Sequence, residues 1–407
     1  MIAFPDAQCA IVAACRALPL ESVSLEAATG RIAGQTVYAD EDLIPFARSA
    51  MDGYAVFAED VRAFPVTLPV AAATFAAPAH ADERHARGTA TAIATGAALP
   101  TGADAVVPFE DVARVGETVR IERHVRSGDA VFPPGEDARA GDELLQAGRT
   151  IAPAMLGILA ASGHARVVVH RRPVVSIICG GDELVPIDAR PGHGQIRNSN
   201  APVLAATLAA FGADVRTVET IADRRELLQT ALRAAFETSD LVVTTGGASV
   251  GERDYIKSIC RELGVTFAFE TVALRPAKPT AFGTLGATVI AILPGNPAAA
   301  FVALYEFVRP AVRALGGEIE PFVSRITARL EGTINAKSER HFAAFAALTA
   351  TSNGLTVRPL ENQCSSLTRT IAESGGFILV PPGSHTYRTG DPVAVDVVDW
   401  TKLETRS

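Results

Sequence analysis

An apolar triplet, Leu241-Val242-Val243, runs directly into TTGGASVGERDY at residues 244–255, and a helical pattern follows to residue 263. Strand, glycine-rich turn and helix in that order commit this part of the chain to a β-α unit. Its turn can wrap an anion, because glycines let backbone N–H groups approach closely and a helix N-terminus favours negative charge. A purely structural turn needs the glycines but not the added Thr245, Ser249, Glu252, Arg253 and Asp254. In open α/β sheets, turns at the strand ends are where ligands bind.

Residues 172–315 repeat this alternation. Strands are expected at 174–178, 214–219, 241–244, 265–269 and 288–293, and helices at 199–211, 224–237, 255–263 and 298–314. Near-continuous apolar strands joined by helices imply a parallel sheet covered on both faces. The connections carry Gly180-Gly181-Asp182-Glu183-Leu184, then Asp223-Arg224, the glycine-rich turn, Arg275-Pro276-Ala277-Lys278-Pro279 and Leu293-Pro294-Gly295-Asn296-Pro297. Five polar or glycine-rich turns on one edge signal more than any one of them. The carboxylates of Glu183, Asp223 and Asp254 are hard oxygen ligands suited to a Mg²⁺ that also touches phosphate. Arg275 and Lys278 suit phosphate or another oxyanion. The structural alternatives are helix caps for Asp182, Asp223 and Asp254, and surface ion pairs for Arg275 and Lys278.

At 407 residues the chain exceeds one ordinary core, and two to four domains are expected. Residues 6–38 read as helices stopping at Thr29-Gly30, and 151–161 as another helix. Between them, short β-rich pieces at 54–57, 89–95, 105–107 and 118–121 are separated by Pro and Gly turns. Strands at 326–330, 355–358, 377–380 and 392–398, with turns at Asn353-Gly354 and Pro382-Gly383, make a small β domain at the end. The reading is a multidomain α/β plus β protein. An elongated helical linking domain (1–44 and 138–172) carries an inserted all-β module (45–137). A parallel-sheet α/β domain (173–318) and a C-terminal β domain (319–407) follow.

Composition excludes several classes. The net charge of −8 argues against nucleic acid as the main partner. No apolar run reaches the roughly 18–20 residues of a membrane span. The start, MIAFPDAQCA, lacks a basic stretch leading into an apolar one, so a cytoplasmic protein is expected. The five cysteines (Cys9, Cys15, Cys179, Cys260 and Cys364) form no CxxC pair and fit buried or reduced thiols.

Within the inserted module, SAMDGYAV (49–56), ATGAALPTGADAVVPFED (94–111) and GED (135–137) are turns that Asp and Gly alone would explain. Taken in order with GDEL (181–184), GQIRNSN (194–200), TTGGASVGERDY, RPAKPTAFG (275–283) and LPGNPAA (293–299), they cover nearly the whole chain. In this order they resemble the molybdopterin molybdenumtransferase family, the bacterial relatives of the E domain of gephyrin.

The resemblance implies that an adenylylated molybdopterin accepts molybdate, with Mg²⁺ assistance and release of AMP. It implies a homodimer whose site lies between the α/β domain of one subunit and the β module of the other, and a cofactor-biosynthesis partner or client molybdoenzyme. Carried over position by position, Asp52, Asp137, Glu183, Asp223, Asp254 and Lys278 would be catalytic, with Glu183, Asp223 and Asp254 on the metal. Thr95, Thr245, Gly246, Gly247, Ser249, Gly251, Arg275, Pro294, Pro297 and Ser365 would contact substrate. The chain departs from the family pattern at Arg275 (usually Lys), Ala277 (usually Gly), Arg197-Asn198 (usually an aromatic and an acid) and Ala299 (often Ser). It also has Phe345 near a frequent second Arg, and Gln363-Cys364-Ser365-Ser366 for a more Arg-rich stretch. These departures leave two other readings open: a pterin-binding carrier or interaction paralogue that inserts metal poorly, and a paralogue acting on tungstate.

Overall fold

The computed structural model describes residues 1–74, 84–246 and 255–405. The chain divides into two compact units. One comprises Met1–Gln35, Ala147–Ala152 and Arg166–Ser407, and the other Thr36–Gln146 and Pro153–Ala165.

In the first unit a six-stranded sheet runs Asp214–Ile221, Val174–Gly180, Leu241–Thr245, Thr288–Leu293, Ala281–Leu285, Thr266–Phe269. The first four strands are parallel. Ala281–Leu285 is antiparallel to both neighbours, so the sheet is mixed rather than all parallel as its sequence suggested. A two-residue turn closes the unexpected hairpin, with Leu285 opposite Thr288, and an antiparallel pair needs no crossover helix.

The sheet is covered on both faces, as its apolar strands require. On one side Val175, Ile177, Leu241, Val243 and Leu293 pack with Phe4 and Ile11 of helix Phe4–Ala14, Leu204 and Leu208 of Asn200–Ala210, and Phe307. On the other, Ile178, Val242, Ile290 and Ile292 meet Leu228 and Leu232 of Arg225–Thr238 and Ile256 and Ile259 of Tyr255–Glu262. At about 25 cal/mol per Å² of apolar surface, these fully buried aliphatic side chains are worth roughly 1.5–3 kcal/mol each.

The helical reading of residues 6–38 holds to Ala14 and again for the 3₁₀ turn Leu25–Ala27. Leu20–Ser24 is instead a strand, antiparallel to Arg166–His170. Pro19 precedes it, and a residue before proline is pushed out of the helical region. The helix expected from residue 151 begins at Met155.

The C-terminal β region is a seven-stranded sheet whose longest strand is His341–Thr351. Leu274–Arg275 joins its edge in parallel with that strand, so the RPAKP connection is hydrogen-bonded into this second sheet.

The second unit holds its own six-stranded sheet, in the order Ala105–Pro108, Gly53–Val56, Ala90–Ile93, Val66–Thr74, Thr118–Ile121, Val112–Val115. Tyr54, Val56, Val107 and Ile121 form its core. Strands Val66–Thr74 and Val112–Val115 had no counterpart in the sequence reading.

Candidate functional site

Three connections leave the C-terminal ends of adjacent parallel strands in the first unit and enclose a cleft of about 830 Å³. Gly246 takes φ +81°, and a Cβ there would stand 2.0 Å from the Gly180 carbonyl oxygen. Only glycine allows both the backbone conformation and the approach. Thr245 is buried; its hydroxyl donates to the Pro294 carbonyl at 2.8 Å and accepts from Asn200 Nδ2 at 3.0 Å. The same Asn200 amide donates to the Gly295 carbonyl at 2.9 Å. One side chain at the start of helix Asn200–Ala210 thus ties two strand-end turns together.

The opposite wall is built similarly. Asn198, 5% exposed, donates to Thr220 Oγ1 at 2.9 Å and accepts from the Ala201 N–H at 3.1 Å. Asp182 Oδ1 accepts the Asp223 N–H at 3.0 Å, so Asp182 joins two turns rather than serving a ligand. Glu183 and Asp223 both line the cleft. The Glu183 carboxylate is exposed and has no hydrogen bond or ion pair among the described residues. Gly181, at φ +155°, passes so close that a Cβ would lie 2.9 Å from that carboxylate.

Pro294 and Pro297 line the same cleft, and of the RPAKP connection only Pro279 does. Arg275 lies with its guanidinium carbon 5.0 Å from the Phe342 ring centroid, and Lys278 is exposed; neither is among the lining residues. Between them, Ala277 is 3% exposed and takes φ +110°, a region that costs any residue with a Cβ. Ser365 accepts the Ala298 N–H on its carbonyl at 3.0 Å and Asn296 Nδ2 on its hydroxyl at 3.5 Å, while Ser366 lines the cleft. Gln363 clamps the backbone of Phe345 on both sides at 2.9 Å, and Phe345 is wholly buried against Phe377. Phe345 and Phe377 belong to the buried cluster that covers one face of the α/β sheet.

Gly247, Ser249, Gly251 and Asp254 lie outside the described residues. In the second unit, Asp52 Oδ1 accepts the Thr95 N–H at 2.7 Å and its hydroxyl at 2.8 Å. These bonds, the backbone one first, hold the Asp52 carboxyl below its ordinary range. Asp137 is exposed in the same unit. Among the described residues no three His, Cys, Asp or Glu side chains gather as a ready metal site.

The first-unit cleft is lined by two carboxylates, one guanidinium and the amides of Asn198, Asn200 and Asn296. Residues 2–163 match the family described as MoeA N-terminal region (domain I and II), 176–314 the probable molybdopterin binding domain, and 327–398 the MoeA C-terminal region (domain IV). The molybdopterin molybdenumtransferase of Staphylococcus aureus (strain COL) is 31% identical over 387 residues, which cover 93% of this chain and 91% of that protein. The chain belongs to the molybdopterin molybdenumtransferase family. The protein of the same name from Staphylococcus epidermidis (strain ATCC 12228) is 30% identical, covering 94% of this chain and 92% of that one. Two crystal structures of a molybdopterin biosynthesis MoeA protein from Pyrococcus horikoshii are similar throughout. One has a TM-score of 0.79 at 29% identity, covering 98% of this chain and 99% of that one; the other has 0.85 at 25%, covering 98% and 100%.

Sequence reasoning singled out Glu183, Asp223, Thr245, Gly246, Pro294 and Pro297, and the structure brings all six to one cleft. It quoted Asn198 and Asn200 within GQIRNSN but assigned them no role in the site. A signal was present: Asn-Ser-Asn stands immediately before an apolar helical run, where amides reach backbone groups on adjoining turns.

Proposed function

We propose that this chain inserts molybdate into adenylylated molybdopterin and releases AMP, using the cleft of the first unit. The observation that carries the reading is one cavity walled by three tightly tied strand-end turns and two carboxylates, Glu183 and Asp223. Two carboxylates and a substrate phosphate are a donor set that Mg²⁺ accepts, so these two residues would hold it. When bound, Mg²⁺ would offset the charge that develops as the phosphoanhydride breaks.

The chain's own residues do the positioning. Asn200 and Thr245 hold two turns at fixed separation, so the wall facing the substrate moves little as charge shifts. Asp182 holds the turn of Asp223 by its N–H, and Asp223 lines the cavity. We assign Asp254, Lys278, Arg275 and the remainder of the glycine-rich turn supporting contacts in the same reaction.

The reading includes a homodimer in which each site draws on both copies, with Asp52, Thr95 and Asp137 contributed by the partner. Mixing Asp52→Asn subunits with Asp223→Asn subunits tests this: restored activity in the hybrid supports it, and none counts against it. A cytoplasmic location and hand-over to a client molybdoenzyme belong to the same reading. No helix among the described residues is long and apolar enough to cross a membrane. The direct test is AMP release from adenylylated molybdopterin with Mg²⁺, with and without molybdate. Release that requires molybdate supports the reading; tight pterin binding without it would make the chain a carrier.

A further inference from the structure

The charges around the cleft do not match the proposed ligand by themselves. Glu183 and Asp223 are negative, and Arg197 is the one cation among the described residues lining it. Arg197 sits on the short strand Ile196–Arg197, paired in parallel with Leu184–Val185, so it stands directly across from the segment that follows Glu183. Its Nε donates to the Ala189 carbonyl at 3.0 Å, which fixes the plane of the guanidinium. Its two terminal nitrogens have no hydrogen-bond or ion-pair partner among the described residues, although two carboxylates line the same cavity.

A guanidinium anchored by Nε and open at both ends is a preformed fork for a tetrahedral oxyanion. Arg197 is exposed, as Arg216 is, and what sets it apart is the cavity that it lines. Here the anchor reduces the side-chain entropy lost on binding, and the cavity beside it supplies the room. We infer that Arg197 is a specificity-determining residue of the cleft that binds a tetrahedral oxyanion, the phosphate of the nucleotide or molybdate itself. It would take the oxygens that Glu183 and Asp223 cannot approach without a cation. The inference rests on the proposed function, because that reading supplies the two oxyanions.

The test is calorimetric binding of AMP and, separately, of molybdate in the presence of Mg²⁺. The proteins are the wild type, Arg197→Lys, Arg197→Gln and Arg216→Gln. Arg216 is an exposed arginine of the same unit, paired with Asp214 and absent from the cleft lining, and controls for general loss of charge. Arg197→Gln should weaken one of the anions about 10- to 100-fold, the range of a hydrogen-bonded charged group. Arg197→Lys should recover only part of it, and Arg216→Gln should match wild type. A loss confined to AMP assigns the fork to phosphate, and one confined to molybdate assigns it to the metal oxyanion. Equal binding of both anions by wild type and Arg197→Gln overturns the inference and leaves the proposed function standing. A wild type that binds neither anion removes both.

Discussion

Two carboxylates of this chain are held in opposite ways. Asp52, in the second unit, has one oxygen filled by the N–H and hydroxyl of Thr95, and those bonds keep it ionised to lower pH than an ordinary aspartate. Glu183, in the first unit, has no such partners among the described residues and stands at the wall of an 830 Å³ cleft. A satisfied carboxylate shapes its own turn before it can serve a ligand. An unsatisfied one beside a cavity contributes little to the fold and is available to a metal or substrate. The two sites should therefore respond differently to the same kind of substitution.

The largest effect is expected at the cleft. Glu183→Gln and Asp223→Asn should each lower molybdate-dependent AMP release by about 10²–10³-fold, the cost of removing a preorganised charge from a reacting centre. For Glu183→Gln the melting temperature should hardly change; a large fall would make that residue structural and dissolve the contrast.

Next is the packing that shapes the cleft. Gly246→Ala places a methyl group 2.0 Å from the Gly180 oxygen, so the turns must part. We expect a stability loss of about 2 kcal/mol or more and weaker AMP binding, read by denaturant unfolding and calorimetry. An unchanged midpoint would mean that the two turns yield easily.

At the closed site, the pair Asp52→Asn and Asp52→Ala separates roles. Asparagine retains an acceptor for Thr95 and should melt as wild type does while AMP release falls; alanine should lose both the turn and the activity. Equal melting of all three proteins would show that the Thr95 bonds shape nothing.

A third carboxylate sharpens the comparison. Glu306 is wholly buried in the π-helical turn Leu304–Val308, and burial first, then neighbouring Asp396, push its carboxyl well above the ordinary value. Gln8 Nε2 donates to its Oε2 at 3.1 Å, and burial favours the neutral form where the Thr95 donors favour the charged form of Asp52. Above the ordinary value of about 4.3, the unfolded chain has released a proton that the folded chain retains, so stability falls as pH rises toward the raised value. Glu306→Gln removes this term. Its melting temperature relative to wild type should climb as pH rises above the ordinary glutamate range; a constant difference would mean that Glu306 does not titrate in the folded chain.

The smallest effect concerns Ala277. At φ +110°, glycine should relieve strain and raise stability by about 1 kcal/mol, less the extra entropy of the unfolded chain. A lower melting temperature for Ala277→Gly would place the strain elsewhere.

What the sequence disclosed followed from how much each signal depends on distant packing. The strands at Val174–Gly180, Asp214–Ile221, Leu241–Thr245 and Thr288–Leu293 were legible, because buried parallel strands are apolar along their length. Ala281–Leu285 was not, since Gly283 and Thr284 dilute its apolar character and its pairing depends on the turn beyond it. His341–Thr351 was missed because HFAAFAAL is rich in alanine, a helix former, and only pairing on both sides makes it a strand. At the site, Glu183, Asp223 and Thr245 could be named from strand-end position alone. The distances that make Asn200 a tie between turns could not be, because they depend on the separation of strands far apart in the chain.

The most direct measurement of the central claim is single-turnover AMP release by wild type, Glu183→Gln and Asp223→Asn, with pterin-nucleotide binding followed on the same samples. The account expects all three to bind the nucleotide and only the wild type to release AMP rapidly when molybdate and Mg²⁺ are added. Release by both variants at the wild-type rate would contradict it, and would move the chemistry out of this cleft.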